Sequence, residues 1–131
     1  MIAQMAPARD PGVFVFVTTQ DFEKAKRLHS EARAIYQEAE GTSLILPLER
    51  ADAEGFDTTA PMASITLHVH SALDAVGLTA AVASALAEQE IPCNMVAAYY
   101  HDHAYVPLSR AEDALVCLRR LSARASGVKH L

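Results

Sequence analysis

The run from Ala63 to Pro107, ASITLHVHSALDAVGLTAAVASALAEQEIPCNMVAAYYHDHAYVP, changes its hydrophobic period twice, and few folds accommodate that. Ile65, Leu67 and Val69 alternate with Thr66, His68 and His70, the period of two of a strand with one apolar face. From Val76 the apolar residues fall at Val76, Leu78, Ala81, Val82, Ala85 and Leu86, spacings of three and four that make one stripe of a helix. This helix is expected to end near Gln89, because Pro92 disfavours helical geometry at Ile91. Cys93–Tyr100 reads as a second, apolar strand with both faces covered. Tyr100-His101-Asp102-His103 reads as a turn into a third strand, Ala104–Pro107, antiparallel to the second. A further helix follows, with Ser109 at its N-cap, Glu112 completing a capping box, and Ala111, Ala114, Leu115, Leu118 and Leu121 as its buried stripe. Strand, helix, strand, strand, helix is the βαββαβ ferredoxin-like unit without its last strand, which must come from elsewhere in the chain.

The first half carries a second set of elements. Val13–Thr18 is a nearly continuous apolar run, as expected of an interior strand covered on both faces. Thr19–Ser30 is polar and offers only Phe22, Ala25 and Leu28 to bury, so a loop or marginal helix is expected. Ala34–Tyr36 and Ser43–Leu46 flank Gly41 as a hairpin, Leu48–Gly55 has the composition of a short helix, and Asp57–Pro61 reads as a linker. No sequence repeat relates the two halves by periodicity.

Composition narrows the functional classes. The chain has 131 residues, enough to bury about two-thirds of its unfolded surface. Lys plus Arg is 11 against 16 Asp plus Glu, a net charge of −5, and no basic stripe interrupts that acidic average, which argues against nucleic acid as a partner. No run reaches the ~20 apolar residues of a membrane span, and the N-terminus has no basic segment ahead of an apolar one, so a cytoplasmic protein is expected. Cys93 and Cys117 are too few for a disulfide framework and read as buried free thiols.

Three places invite chemistry. In the strand-to-helix loop, the unpaired amides of a helix N-terminus suit a carboxylate, Gly77 permits close approach, Asp74 could receive an ammonium group, and Asn94 offers both donor and acceptor. The same residues also have a purely structural reading: Asp74 as a helix cap, Gly77 as a packing glycine, and Asn94 satisfying local backbone. The pairs His68/His70 and His101/His103 could converge on zinc, nickel or copper if their strands are neighbours. They read otherwise as polar face, turn residues or a dimer contact. No nucleophile-elbow, Walker, Rossmann or HExxH pattern occurs, so catalysis and a cofactor are not expected.

Residues 75–78 (AVGL), the alanine-rich helix, the exit Ile91-Pro92-Cys93-Asn94 and the strand from Met95 resemble an ACT domain. With PGVFVFVTT, EAEGTSLILP and the final helix, the resemblance extends over residues 5–123. It is to small stand-alone bacterial ACT-like proteins and to the paired regulatory ACT domains of aspartate kinases. It implies an α+β, ferredoxin-like fold of two ACT-like subdomains side by side with antiparallel sheets, residues 1–60 and 61–131. It also implies a non-catalytic, regulatory protein binding a small molecule, most naturally an amino acid, often across an interface between two ACT units. The positions that fall on the family's ligand pattern are Ser71, Asp74, Val76, Gly77, Leu78, Asn94 and Met95. The Asp or Asn before a Pro-Gly pair of many ACT loops is replaced here by Ala75-Val76-Gly77. The apolar content of the helix-free sheet face leads to an expected homodimer. The alternatives are a metal-binding protein or small metalloenzyme using the histidine pairs, and an interaction module without a ligand.

Overall fold

The structure is a computed structural model that describes residues 4–68 and 77–129, with side chains described as far as residue 125. In chain order the elements are β1 (Ala8–Arg9), β2 (Phe14–Thr19), α1 (Phe22–Leu28), a 3₁₀ turn (His29–Glu31), β3 (Ala34–Glu38), β4 (Gly41–Pro47), α2 (Leu48–Ala53), β5 (Met62–Leu67), α3 (Leu78–Glu88), β6 (Asn94–Ala97), β7 (Asp102–Pro107), a second 3₁₀ turn (Leu108–Arg110) and α4 (Ala111–Lys129). They form two compact units: a first of Gly12–Met62, and a second in which Met1–Pro11 joins Ala63–Leu131. The halves expected at 1–60 and 61–131 differ from these units in where the N-terminal segment goes.

In the second unit β7 lies between β6 and β5, and β1 pairs antiparallel with β5, Ala8 opposite Thr66 and Arg9 opposite Ile65. The N-terminal segment thereby supplies the strand that Ala63–Leu131 lacks, and the βαββαβ unit closes. Two further bonds hold it, from the Asp10 amide to the Ser64 carbonyl and from the His68 amide to the Met5 carbonyl. Met5 is fully buried with Ile65, Leu67, Val82, Leu86, Val106 and Leu118 in one core between sheet and helices.

The first unit repeats the plan. β2 pairs antiparallel with β4 and β4 with β3, and Val15, Leu28, Leu44, Leu46 and Ala51 form its separate core. Thr19–Ser30, expected as loop or marginal helix, contains a true helix. The Asp21 carboxylate accepts from the Lys24 amide at its N-terminus, which a composition-based reading does not weigh, and Ala25 and Leu28 alone give it a buried stripe. Val13–Thr18 is covered on both faces only in part: Val15 packs into the core and Phe14, on the opposite face, is buried, but Phe16 on Phe14's face is 45% exposed.

Both units turn from their last hairpin strand into a helix through the same sequence, Pro-Leu-x-Arg-Ala, at 47–51 and 107–111. Pro47 and Pro107 have nearly the same backbone, φ −55° and −53°, and Ala51 and Ala111 are both buried. This is the internal repeat that hydrophobic periodicity misses, because it lies in a junction and not in an element. It also corrects the expected start of the last helix. The helical path begins with the 3₁₀ turn at Leu108, set by Pro107, so Ser109 lies inside it and not at an extended N-cap. The hairpin turn likewise falls earlier than Tyr100–His103: Ala97 is the last paired residue of β6, and Asp102 and His103 are already in β7.

Candidate functional site

The two strand-to-helix corners differ sharply. In the first unit two residues, Gln20 and Asp21, join β2 to α1, and the Asp21 carboxylate occupies the helix N-terminus. In the second unit the link from β5 to α3 runs from His68 to Gly77. Gly77, the N-cap of α3, takes a left-handed φ of 93° and as a glycine brings no capping side chain of its own. A Cβ added at Gly77 would meet nothing within 4 Å among the described residues, so this glycine serves backbone conformation. Four amides of such a turn lack intrahelical partners and present partial positive charge.

The expected ligand residues separate into three groups. Gly77 and Leu78 stand at this corner, Leu78 with its side chain in the core and its amide in the first turn. Asn94 and Met95 lie on β6, where Asn94 is exposed opposite Tyr105 and Met95 packs on the core. Ser71, Asp74, Val76 and His70 lie outside the described residues. Asn94 is toward the other end of the unit from Gly77. Arg110, at the far end of β7, donates to the carbonyls of Gln89 and Glu90 just past the C-terminus of α3. The eleven residues of α3, about 16 Å at 1.5 Å each, therefore separate that end from Gly77.

The residues at the Gly77 end are instead those of the β6–β7 tip. His68, directly after β5, and His101, directly before β7, have ring centroids 4.9 Å apart, edge to face, and His103 lies 6.5 Å from His101. The Ala6 carbonyl accepts from His68 Nδ1 at 2.9 Å, and His103 Nδ1 lies 3.1 Å from Thr66 Oγ1. His101 Nδ1 is buried and, among the described residues, has no hydrogen-bond partner. Tyr99 and Tyr100 stack edge to face at the tip, and both are exposed. Thus three of the four paired histidines do gather on one sheet face. Among the described residues no group of three or more His, Cys, Asp or Glu is arranged to hold a metal. Sequence reasoning placed Asn94 beside the loop and read His101 as a metal ligand, a turn residue or a dimer contact, not as a neighbour of the strand-to-helix corner. The signal it missed is that a hairpin following β6 must return its tip to the end where β5 stops.

The corresponding corner of the first unit holds a shallow depression of about 340 Å³ bounded by Gln20, Phe22, Glu38, Glu40 and Gly41. Gln20 Nε2 donates to the Glu40 carbonyl across it, and Gly41 is needed because a Cβ there would sit 2.8 Å from the Thr19 carbonyl oxygen.

A βαββα unit and a second unit completed by the N-terminal strand place two related α+β folds in one chain. ACT-domain family models match residues 1–63 and 59–120, which together take in nearly all of the sequence, and the chain belongs to the ACT-domain family. Among solved structures it is similar to a protein of unknown function from Vibrio cholerae described as a possible transport protein, at 40% identity and TM-score 0.79, covering 89% of this chain and 90% of that one. The fold is also that of the regulatory subunit of aspartate kinase from Thermus thermophilus in its ligand-free form, with 12% identity, TM-score 0.63, and coverage of 91% and 97%. A protein from Agrobacterium tumefaciens, at 17% identity and TM-score 0.61, covers 85% of this chain and 84% of its own. No curated protein matches. ACT domains are small-molecule-binding regulatory domains, and no helix among the described residues is long and apolar enough to cross a membrane.

Proposed function

We propose that this protein is a non-catalytic, cytoplasmic regulator that binds an amino acid at the open corner of its second unit. The observation that carries the reading is the left-handed glycine at the N-terminus of α3, which brings no capping side chain, set against the carboxylate-capped α1 of the first unit. A ligand α-carboxylate suits the first-turn amides of α3 as the Asp21 carboxylate suits the Lys24 amide of α1. Asp74, three residues before Gly77 in the sequence, supplies the charge for the ammonium group. His68 and His101, at the same end, flank the ligand side chain. Asn94 and Met95 lie toward the other end of β6 and reach a ligand only from a second copy of the chain.

That second copy is part of the proposal. Phe16 on β2 and Tyr36 on β3 face the same side of their sheet, opposite the core, and both are exposed large side chains. A homodimer covering them would make ligand occupancy and assembly interdependent. Titration of the labelled protein with each of the twenty amino acids, followed by amide resonances, tests the site. Shifts centred on Gly77, Leu78 and Thr79 support it. Shifts confined to the first unit, or none with any amino acid, overturn it.

A further inference from the structure

The outer surface of the second unit carries a groove that the proposed amino-acid corner does not use. It has a volume of about 410 Å³, inside the roughly 300–1,000 Å³ range of small-molecule pockets, and runs between the last turns of α3 and the exposed face of α4. Its floor is apolar: Ala85 and Ile91 are buried, Cys117 is half-buried with its thiol toward the Ala85 carbonyl at 3.4 Å, and Val116 stands exposed along one wall.

The charges around this floor are unbalanced. Arg110 is fully committed, with Nε on Asp113 at 3.0 Å and its two terminal nitrogens on the Gln89 and Glu90 carbonyls. The Arg110–Asp113 pair is therefore neutral, and the carbonyls past the end of α3 that would repel an anion are already occupied. Arg120 and Arg124 remain, one helical turn apart on the groove side of α4, and among the described residues neither forms an ion pair. Glu88 is the one carboxylate left to oppose them in the lining. Like charges at this spacing repel, and an anion between them removes the repulsion. The fields of Arg124, Glu88 and Arg120 all reach the Cys117 thiol, where burial raises the pKa and the two arginines lower it, so the three charges converge over the apolar floor.

We propose that this groove is a second small-molecule site, selective for an organic monocarboxylate with a short apolar body, the carboxylate held by Arg120 and Arg124 and the body lying on Ala85, Ile91, Val116 and Cys117. Guanidinium groups suit a carboxylate because their paired donors match its two oxygens. Two of them facing one glutamate favour an anion over an amine.

Cys117 gives the site its own readout. The rate of Cys117 alkylation by a maleimide, followed by mass spectrometry on the intact full chain, is measured against hexanoate, with hexanol supplying the same apolar body without the charge. Hexanoate at about ten times its Kd is expected to slow Cys117 by about tenfold, as the free fraction falls. Hexanol leaves the rate near its starting value, and Cys93 is unaffected by either. The protection is lost in the double variant Arg120→Gln/Arg124→Gln and kept in Arg119→Gln, which removes one arginine charge of α4 outside the groove. Absence of protection, protection that survives the double variant, equal protection by hexanol, or parallel slowing of Cys93 each overturns the proposal.

Discussion

Gly41 and Gly77 look alike in sequence and differ in what they do. At Gly41 a Cβ meets backbone, the Thr19 carbonyl oxygen at 2.8 Å, so Gly41→Ala must displace β2 from the β3–β4 turn. Its expected cost is about 1–3 kcal/mol, read from denaturant unfolding. At Gly77 nothing is struck, and Gly77→Ala costs only the left-handed strain, about 1–2 kcal/mol. A larger loss there would mean that the open corner is packed and not vacant. Cys93 gives a pH prediction. Burial pushes its thiol up to about 11, so the folded protein holds a proton that the unfolded chain releases near 9. Stability is therefore fully present below pH 9 and falls as pH rises toward 11. Cys93→Ala should flatten that alkaline decline in urea midpoints taken across the range. An unchanged slope would show that another group carries it.

At the scale of elements, the repeated Pro-Leu-x-Arg-Ala junction uses its arginine as a clamp in both units, by different partners. Arg110 ties the start of the last helix to the end of α3 through two carbonyls. Arg50 reaches Glu31 at 2.6 Å and Glu54 at 3.0 Å, and Glu54 also receives Arg27 while its carbonyl accepts from Lys24, so α1 and α2 share one acidic hub. Arg27 holds the Glu54 carboxyl below the usual carboxylate range, with Arg50 and Lys24 adding to it against the opposing effect of burial. Because the folded value is depressed, this contribution is present above the unfolded carboxylate pKa and lost as pH falls through the folded one. Glu54→Gln should remove that acid-side dependence, and hydrogen exchange at α1 amides near pH 4 checks it: faster exchange than wild type at pH 7, with the difference closing at low pH. Arg110→Ala should raise exchange at the last turn of α3 without affecting α1. The strands, α3 and the hairpins were legible because their periods of two and 3.6 are written in single residues such as Ile65, Leu67, Val82 and Leu86. The helix at Phe22–Leu28 was not, since its stability comes from the Asp21 cap and from two buried side chains on a neighbouring sheet. The Ser109 box misled because Pro107 fixes the path one turn earlier.

For the whole molecule, the decisive event is the return of the N-terminal segment to the second unit. Ala8 and Arg9 pair with β5, and Met5 is fully buried in its core. No local pattern announces this, because two residues of strand have no period and a lone methionine has no stripe. The sequence therefore indicated that a strand was missing without indicating where it lay. Deleting residues 1–9 should cost the second unit both an edge strand and a buried side chain; a buried Met side chain alone is worth about 2–5 kcal/mol. The two-unit fold was legible at the level of class, whereas the corner residues were legible only in part. Gly77 and Leu78 begin α3, and Asn94 stands toward the other end of the unit, because a strand that leaves the bottom of α3 begins far from where α3 began. The central claim, an amino acid on the open N-terminus of α3, is tested most directly by thermal unfolding in the presence of each of the twenty amino acids, in the wild type and in Asp74→Ala. At a hundred times its Kd the right ligand adds about 2.7 kcal/mol, roughly 10 °C for a chain this size. The account predicts such a rise for one or two amino acids and its loss in the variant. A flat response to all twenty, or a rise that survives Asp74→Ala undiminished, would contradict it.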